Sequence, residues 1–163
     1  MSGLFAPPPD DAIYLSRRDP DELLGTYSAH QILLDDDAWP TAEHYFQAMR
    51  FEDPAMRHRV RDAATPSAAH QLGEPGWFAS FFRKQRADWQ KVQRVYMTRA
   101  VYTKCKAWED VAARLLDTGE KRLIENDQYD YVWGCGRDLR GENLYGQVLM
   151  DVRARLREER ASA

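Results

Sequence analysis

The stretch Trp39–Phe51, WPTAEHYFQAMRF, decides how the chain is read. Ala42, Tyr45, Phe46 and Met49 recur at the spacing of one helix face, while Glu43, Gln47 and Arg50 share another. Thr41 is placed to cap this helix, which puts Glu43 in the first turn, where the helix dipole favours a negative charge. A carboxylate and an imidazole, Glu43 and His44, therefore open a helix crowded with aromatics. On its own such a glutamate is a helix-start residue. Held on a rigid element, it is also a candidate active-site carboxylate, kept ionised by the helix start. Exchange of Glu43 for Gln is then expected to cost the helix only the dipole contribution, about 0.3–1 kcal/mol.

On the N-terminal side, AIYLS (12–16) and HQILLD (30–35) are short, apolar and bounded by Pro and Asp clusters, and both read as strands, with DDDAWP (35–40) as a turn. On the C-terminal side, DPAMRHRVRDA (53–63) predicts a helix begun at Pro54. TPSAAHQLG (65–73) predicts another, capped by Thr65 and ended by Gly73. The loop GEPGW (73–77) precedes the longest helix, from about Ala87 to Lys106, with Trp89, Val92, Tyr96, Ala100 and Thr103 as its apolar stripe. EDVAARLLDTG (109–119) is a shorter helix, and KRLIEN (121–126) a third strand. YVWGCGRDLRGENLYG (131–146) is a glycine-rich loop that enters a terminal helix at Asn143, with Leu144, Val148, Leu149, Val152 and Leu156 inward. The pattern is one α+β domain over residues 1–163, mostly helical with a small sheet.

A chain of 163 residues with 44% hydrophobic and 12% aromatic content can bury a single core without disulfides or metals. Cys105 and Cys135 form no CxxC pair and the four histidines lack ligand spacing, so no structural metal and a reducing cytoplasm are expected. The N-terminus lacks a basic segment followed by an apolar run, and nothing approaches the ~20 apolar residues of a bilayer span. A soluble protein with no membrane partner is expected. The net charge of −3 argues against broad attachment to duplex DNA. It is unevenly spread: residues 76–106 hold eight Lys and Arg against the single Asp88, which suits a ligand carrying phosphates.

GCGRDLRG has the wrong spacing for a dinucleotide-binding turn. It is expected instead to feed the helix start near Asn143, where free N–H groups can bind an anion with help from Arg137 and Arg140. Trp133, between a strand and a glycine turn, is placed to expose its ring to a cleft and stack on a base, whereas Trp89 reads as mainly structural. Cleavage of a glycosidic bond uses paired carboxylates, for which Glu43, Glu125 and Asp130 are the candidates.

WPTAEHYFQAMRF, DWQKVQRVYMTRAVYTKC, LLDTGEKRLIEN and DYVWGCGRDLRGENLYGQVLMDVRARL, in that order and with those gaps, resemble the NADAR family over about Tyr14 to Arg157. The resemblance implies an α+β domain that, without a cofactor, hydrolyses the N-glycosidic bond between a phosphoribosyl or ADP-ribosyl group and a nitrogenous base. It places the family glutamate on Glu43, the aspartate before the glycine loop on Asp130, the tryptophans on Trp89 and Trp133 and the asparagine on Asn143. Gly134 and Gly136 fall in its WGxG segment. The chain departs from the pattern at Tyr27, within GTY (25–27) where many relatives carry SNF, and at Arg50, where relatives often carry a lysine. Arginine forms no Schiff base with an opened sugar, which leaves Lys104 as the substitute amine. Glu43 and Asp130 are thus the expected catalytic pair, lining one cleft with Trp133, and Arg50 the expected phosphate contact. Two rival functions remain: removal of ADP-ribose from guanine in ADP-ribosylated DNA, and binding of ADP-ribose or NAD without turnover.

Overall fold

The computed structural model describes residues 11–74, 76 and 83–163. Part of the expected loop at 73–77 and part of the basic stretch at 76–106 lie outside them. The helix opened by Glu43 is the hub. This helix, α1 (Ala42–Ala48), is capped by the Thr41 hydroxyl, and every one of its residues is buried. Its apolar face meets the core at Tyr45, Phe46 and Phe51 just beyond it, and its polar face is buried too. Around it pack α2 (Pro54–Arg61), α3 (Pro66–Gly73) and the long α4 (Trp89–Ala107). Asp53 and Thr65 cap α2 and α3, each with Pro in the first turn.

The strands form two pairs rather than one sheet. β1 (Ala12–Leu15) runs parallel to β4 (Arg122–Glu125), with Leu15 opposite Glu125, so two segments far apart in the chain are joined in one ladder. β2 (Ile32–Leu34) and β3 (Asp37–Trp39) form a hairpin, and β3 occupies residues expected to be a turn. The turn proper is only Asp35 and Asp36, both left-handed with φ of 53° and 65°, a conformation Asp tolerates. Helices α5 (Glu109–Leu116) and α6 (Leu144–Ala161) complete the domain. The buried face of α4 carries Trp89, Gln93, Met97, Ala100, Val101, Lys104 and Cys105, rotated from the expected stripe, with Val92 and Tyr96 only partly buried. Among the described residues no helix is long and apolar enough to cross a membrane.

Candidate active site

The loop after β1 is organised by Arg17, which no spacing in the sequence singles out. Its guanidinium is buried, with Nη1 3.4 Å from Glu43 Oε2 and Nη2 3.8 Å from Asp130 Oδ2. Its backbone N–H donates to Glu125 Oε2 at 2.6 Å. Burial opposes the cation, but Glu43, Glu125 and Asp130 outweigh it and hold the Arg17 pKa above its ordinary value. Glu43 and Asp130, far apart in sequence, are thus joined across one guanidinium.

Glu43 is fully buried. Oε2 accepts the Thr26 hydroxyl at 2.5 Å, and Oε1 accepts Gln47 Nε2 at 2.8 Å with His70 Nδ1 at 2.9 Å. Burial would raise its pKa; Arg17 and the hydrogen bonds from His70, Thr26 and Gln47 overcome this and bring it to about 2. The charge is therefore kept by direct partners more than by the helix dipole. His70 is a second residue the sequence did not mark. Tyr27, half-buried, has its hydroxyl pushed up to about 12 by burial and then by Glu43.

Asp130 is fixed differently. Oδ1 accepts the backbone N–H groups of Val132 and Trp133 at 2.9 and 2.8 Å, while Oδ2 is turned to Arg17 and the side chain is 22% exposed. It lines a cleft of about 680 Å³ together with Arg18, Arg50, Trp89, Tyr131 and Trp133. Glu43 does not line this cleft and stands behind it, at the far side of Arg17. A larger groove of about 900 Å³ past Leu33, Pro40 and Trp108 contains none of these carboxylates.

The remaining expected site residues divide. Arg50 lines the cleft but is ion-paired with Glu74 and lies with its guanidinium carbon 4.9 Å from the Trp89 ring. Trp89 is buried against Phe46 at 5.2 Å. Trp133 is only 5% exposed, edge-on to Phe46 at 5.2 Å, so its ring belongs to the core with just an edge at the cleft. Trp133→Ala should accordingly lower stability by about 3–5 kcal/mol, as for other buried aromatics, which thermal unfolding would read directly. Lys104 does not reach the cleft. Its buried Nζ donates to the Leu23 and Gly25 carbonyls and to Ser28 Oγ, clamping the loop that carries Thr26, and burial lowers its pKa to about 8.

Asn143 is also internal. Its side chain accepts from Glu125 N–H and donates to the Leu123 carbonyl, both at 2.9 Å, tying β4 to α6. The helix start there is not an open anion site. The N–H groups of Glu142, Asn143, Leu144 and Tyr145 donate to the carbonyls of Tyr131, Gly134, Val132 and Trp133. Arg137 and Arg140 are exposed. Gly134 is packed so that an added Cβ would lie 2.7 Å from the Asp127 carbonyl, and Gly136 is left-handed at φ +67°. Much of the basic stretch is internally neutralised: Arg86 pairs with Asp88, Arg94 with Asp151, Arg99 with Asp35 and Lys106 with Glu159.

Glu125 sits beneath Arg17, and burial raises its pKa to about 7. Raised from an ordinary 4.5, it favours the fold while protonated, and that contribution is lost as pH rises through about 7. Glu125→Gln keeps the acceptor for Arg17 N–H and removes the titration. It should match the wild type below pH 4.5 and exceed its stability at pH 8 by about 2–3 kcal/mol, measured by denaturant unfolding at the two pH values.

Residues 4–157 match the NADAR domain. The chain belongs to the NADAR family. This NADAR chain is 38% identical over 134 residues to the N-glycosidase Npun_R5314 of Nostoc punctiforme, a match covering 80% of this chain and 83% of that protein. It is 32% identical over 143 residues to the riboflavin biosynthesis protein VVA0006 of Vibrio vulnificus, covering 86% of this chain but 38% of that protein. Its fold is that of the NMR structure of the E. coli protein YbiA, with a TM-score of 0.81, 30% identity and coverage of 94% and 89% of the two chains. The NADAR fold therefore accounts for the single α+β domain with six helices among the described residues.

Proposed function

We propose that the chain is an N-glycosidase that hydrolyses the bond joining a phosphorylated ribose to a nitrogenous base. The observation that carries this reading is the pair of carboxylates, Glu43 and Asp130, held by one buried guanidinium, with Asp130 at the wall of a cleft and Glu43 behind it. Cleavage of an N-glycoside builds positive charge on the sugar, and a carboxylate already fixed beside it stabilises that charge without rearrangement. Asp130 meets this requirement, since two backbone N–H groups immobilise one oxygen and the other faces both Arg17 and the cleft. Glu43 acts from behind, holding Arg17 in place and ordering Thr26 and His70.

Arg18 is exposed at the cleft, forms no ion pair among the described residues, and is the group best placed to meet phosphate. Trp89 Nε1 and Arg50 Nε, on residues that line the cleft, are buried without a hydrogen-bond partner among the described residues. No lysine lines the described cleft, and Lys104 is held elsewhere by three acceptors. Attack by water is therefore favoured over a Schiff base. Similarity to proteins named N-glycosidase and riboflavin biosynthesis protein supports the same reaction class.

The test is incubation with a phosphoribosylamine intermediate of riboflavin synthesis, with NAD and with ADP-ribosylated DNA. Release of ribose 5-phosphate from the first is expected. Release of ADP-ribose from the DNA alone would transfer the same chemistry to the rival substrate, and no release from any would leave a binding module.

A further inference from the structure

The cleft has an aromatic wall that the hydrolytic groups do not use. Tyr131 follows Asp130 directly, lines the cleft and keeps 48% of its surface exposed. Tyr129, 82% exposed, stands beside it with Arg137 5.6 Å from its ring. Exposed aromatic side chains grouped at the mouth of a cleft mark a surface that meets something.

Tyr131 is held in place by its surroundings. Its carbonyl accepts Glu142 N–H at 2.8 Å, and the carbonyls of Val132 and Trp133 accept from the start of α6. Its ring packs against Gly136, where an added Cβ would come within 2.5 Å of Cε1. Only a glycine, and one in a left-handed conformation, lets the ring lie there. A ring backed by the chain and open to the cleft, one residue from the carboxylate that faces the sugar, presents the surface that a flat heteroaromatic ring stacks upon. Trp133 cannot offer such a surface, because its ring is turned into the core against Phe46.

We propose that Tyr131 is the platform for the base of the substrate, so that the enzyme selects N-glycosides of flat heteroaromatic bases over those of aliphatic amines. The proposal rests on the ribose-phosphate reading of the cleft. It adds to that reading a specificity-determining residue which neither holds the sugar nor takes part in bond cleavage.

Isothermal titration calorimetry with two probes, ribose 5-phosphate and cytidine 5′-monophosphate, tests it on the wild type, Tyr131→Phe and Tyr131→Ala. The expected result is a nucleotide bound roughly tenfold or more tightly than ribose 5-phosphate by the wild type and by Tyr131→Phe, as stacking on one ring supplies. In Tyr131→Ala that advantage should disappear while ribose 5-phosphate binds as before. A nucleotide advantage that survives in Tyr131→Ala, or is absent from the wild type, overturns the platform and leaves the ribose-phosphate reading standing. Equal loss of both probes in Tyr131→Ala also overturns it, since the residue would then be shaping the whole cleft. If the wild type binds neither probe, the ribose-phosphate reading fails and the platform fails with it.

Discussion

The Glu43→Gln protein is expected to unfold roughly 6–20 °C below the wild type, the consequence of losing about 3–5 kcal/mol when one partner of a buried ion pair is removed. This is far more than the dipole contribution that the sequence suggested, because the Glu43 carboxylate is fully buried against Arg17 and accepts from Thr26 and Gln47. Glutamine keeps the shape but brings an N–H₂ group where the site offers donors. The effect has a pH signature. The Glu43 pKa lies at about 2 in the folded chain against an ordinary 4.5, so its contribution is complete above 4.5 and is lost as pH falls toward 2. The gap between wild type and variant should be wide at neutral pH and close on acidification. Equal melting temperatures at neutral pH, or a gap unchanged in acid, would show that the pair does not hold the site. Turnover should fall roughly 10²-fold or more, because Arg17 would no longer be fixed beside Asp130.

Asp130→Asn separates chemistry from stability. The asparagine oxygen can still accept from Val132 and Trp133, so the loop should keep its shape and the melting temperature should move by only a few degrees. The charge next to the sugar would be gone. Turnover on the phosphoribosyl substrate should then drop by about 10²–10³-fold, with binding of ribose 5-phosphate little changed. Steady-state kinetics alongside calorimetric binding would distinguish this from a purely structural role, and near-normal turnover would remove Asp130 from the mechanism.

What could be read from the sequence was whatever is decided locally. The Pro-led helices at Pro54 and Pro66 and the Thr41 cap carry their own signals within a few residues, and all three stand where expected. β1 and β4 were legible as strands but not as partners, since their parallel pairing closes across more than a hundred residues. The hairpin strand β3 was hidden in a run of aspartates whose left-handed turn is tighter than the composition suggests.

The site was legible as two motifs and illegible as an arrangement. Arg17 looks like half of an ordinary exposed Arg-Arg pair, and only the meeting of three distant carboxylates makes it central. His70 lies on a helix with no motif, and its role arises because α3 packs on α1. Lys104 was expected to be an available amine, yet a lysine that clamps backbone carbonyls and one that faces a substrate have the same letter and the same spacing. Trp133 borders the cleft with its ring turned inward, because the glycines around it suggest freedom where the neighbouring chain packs tightly.

The helix start that proved closed to anions has a consequence for how the cleft moves. Four consecutive amides, Glu142 to Tyr145, are committed to the carbonyls of Tyr131 to Gly134. The segment carrying Asp130, Tyr131 and Trp133 therefore cannot swing away as an independent flap, because its release would fray the first turn of a long helix whose inner face is buried. Loop and helix form one cooperative unit, opening together or not at all. The shape of this wall is settled during folding, and an arriving ligand meets it already assembled, with little ordering entropy left to lose at each encounter.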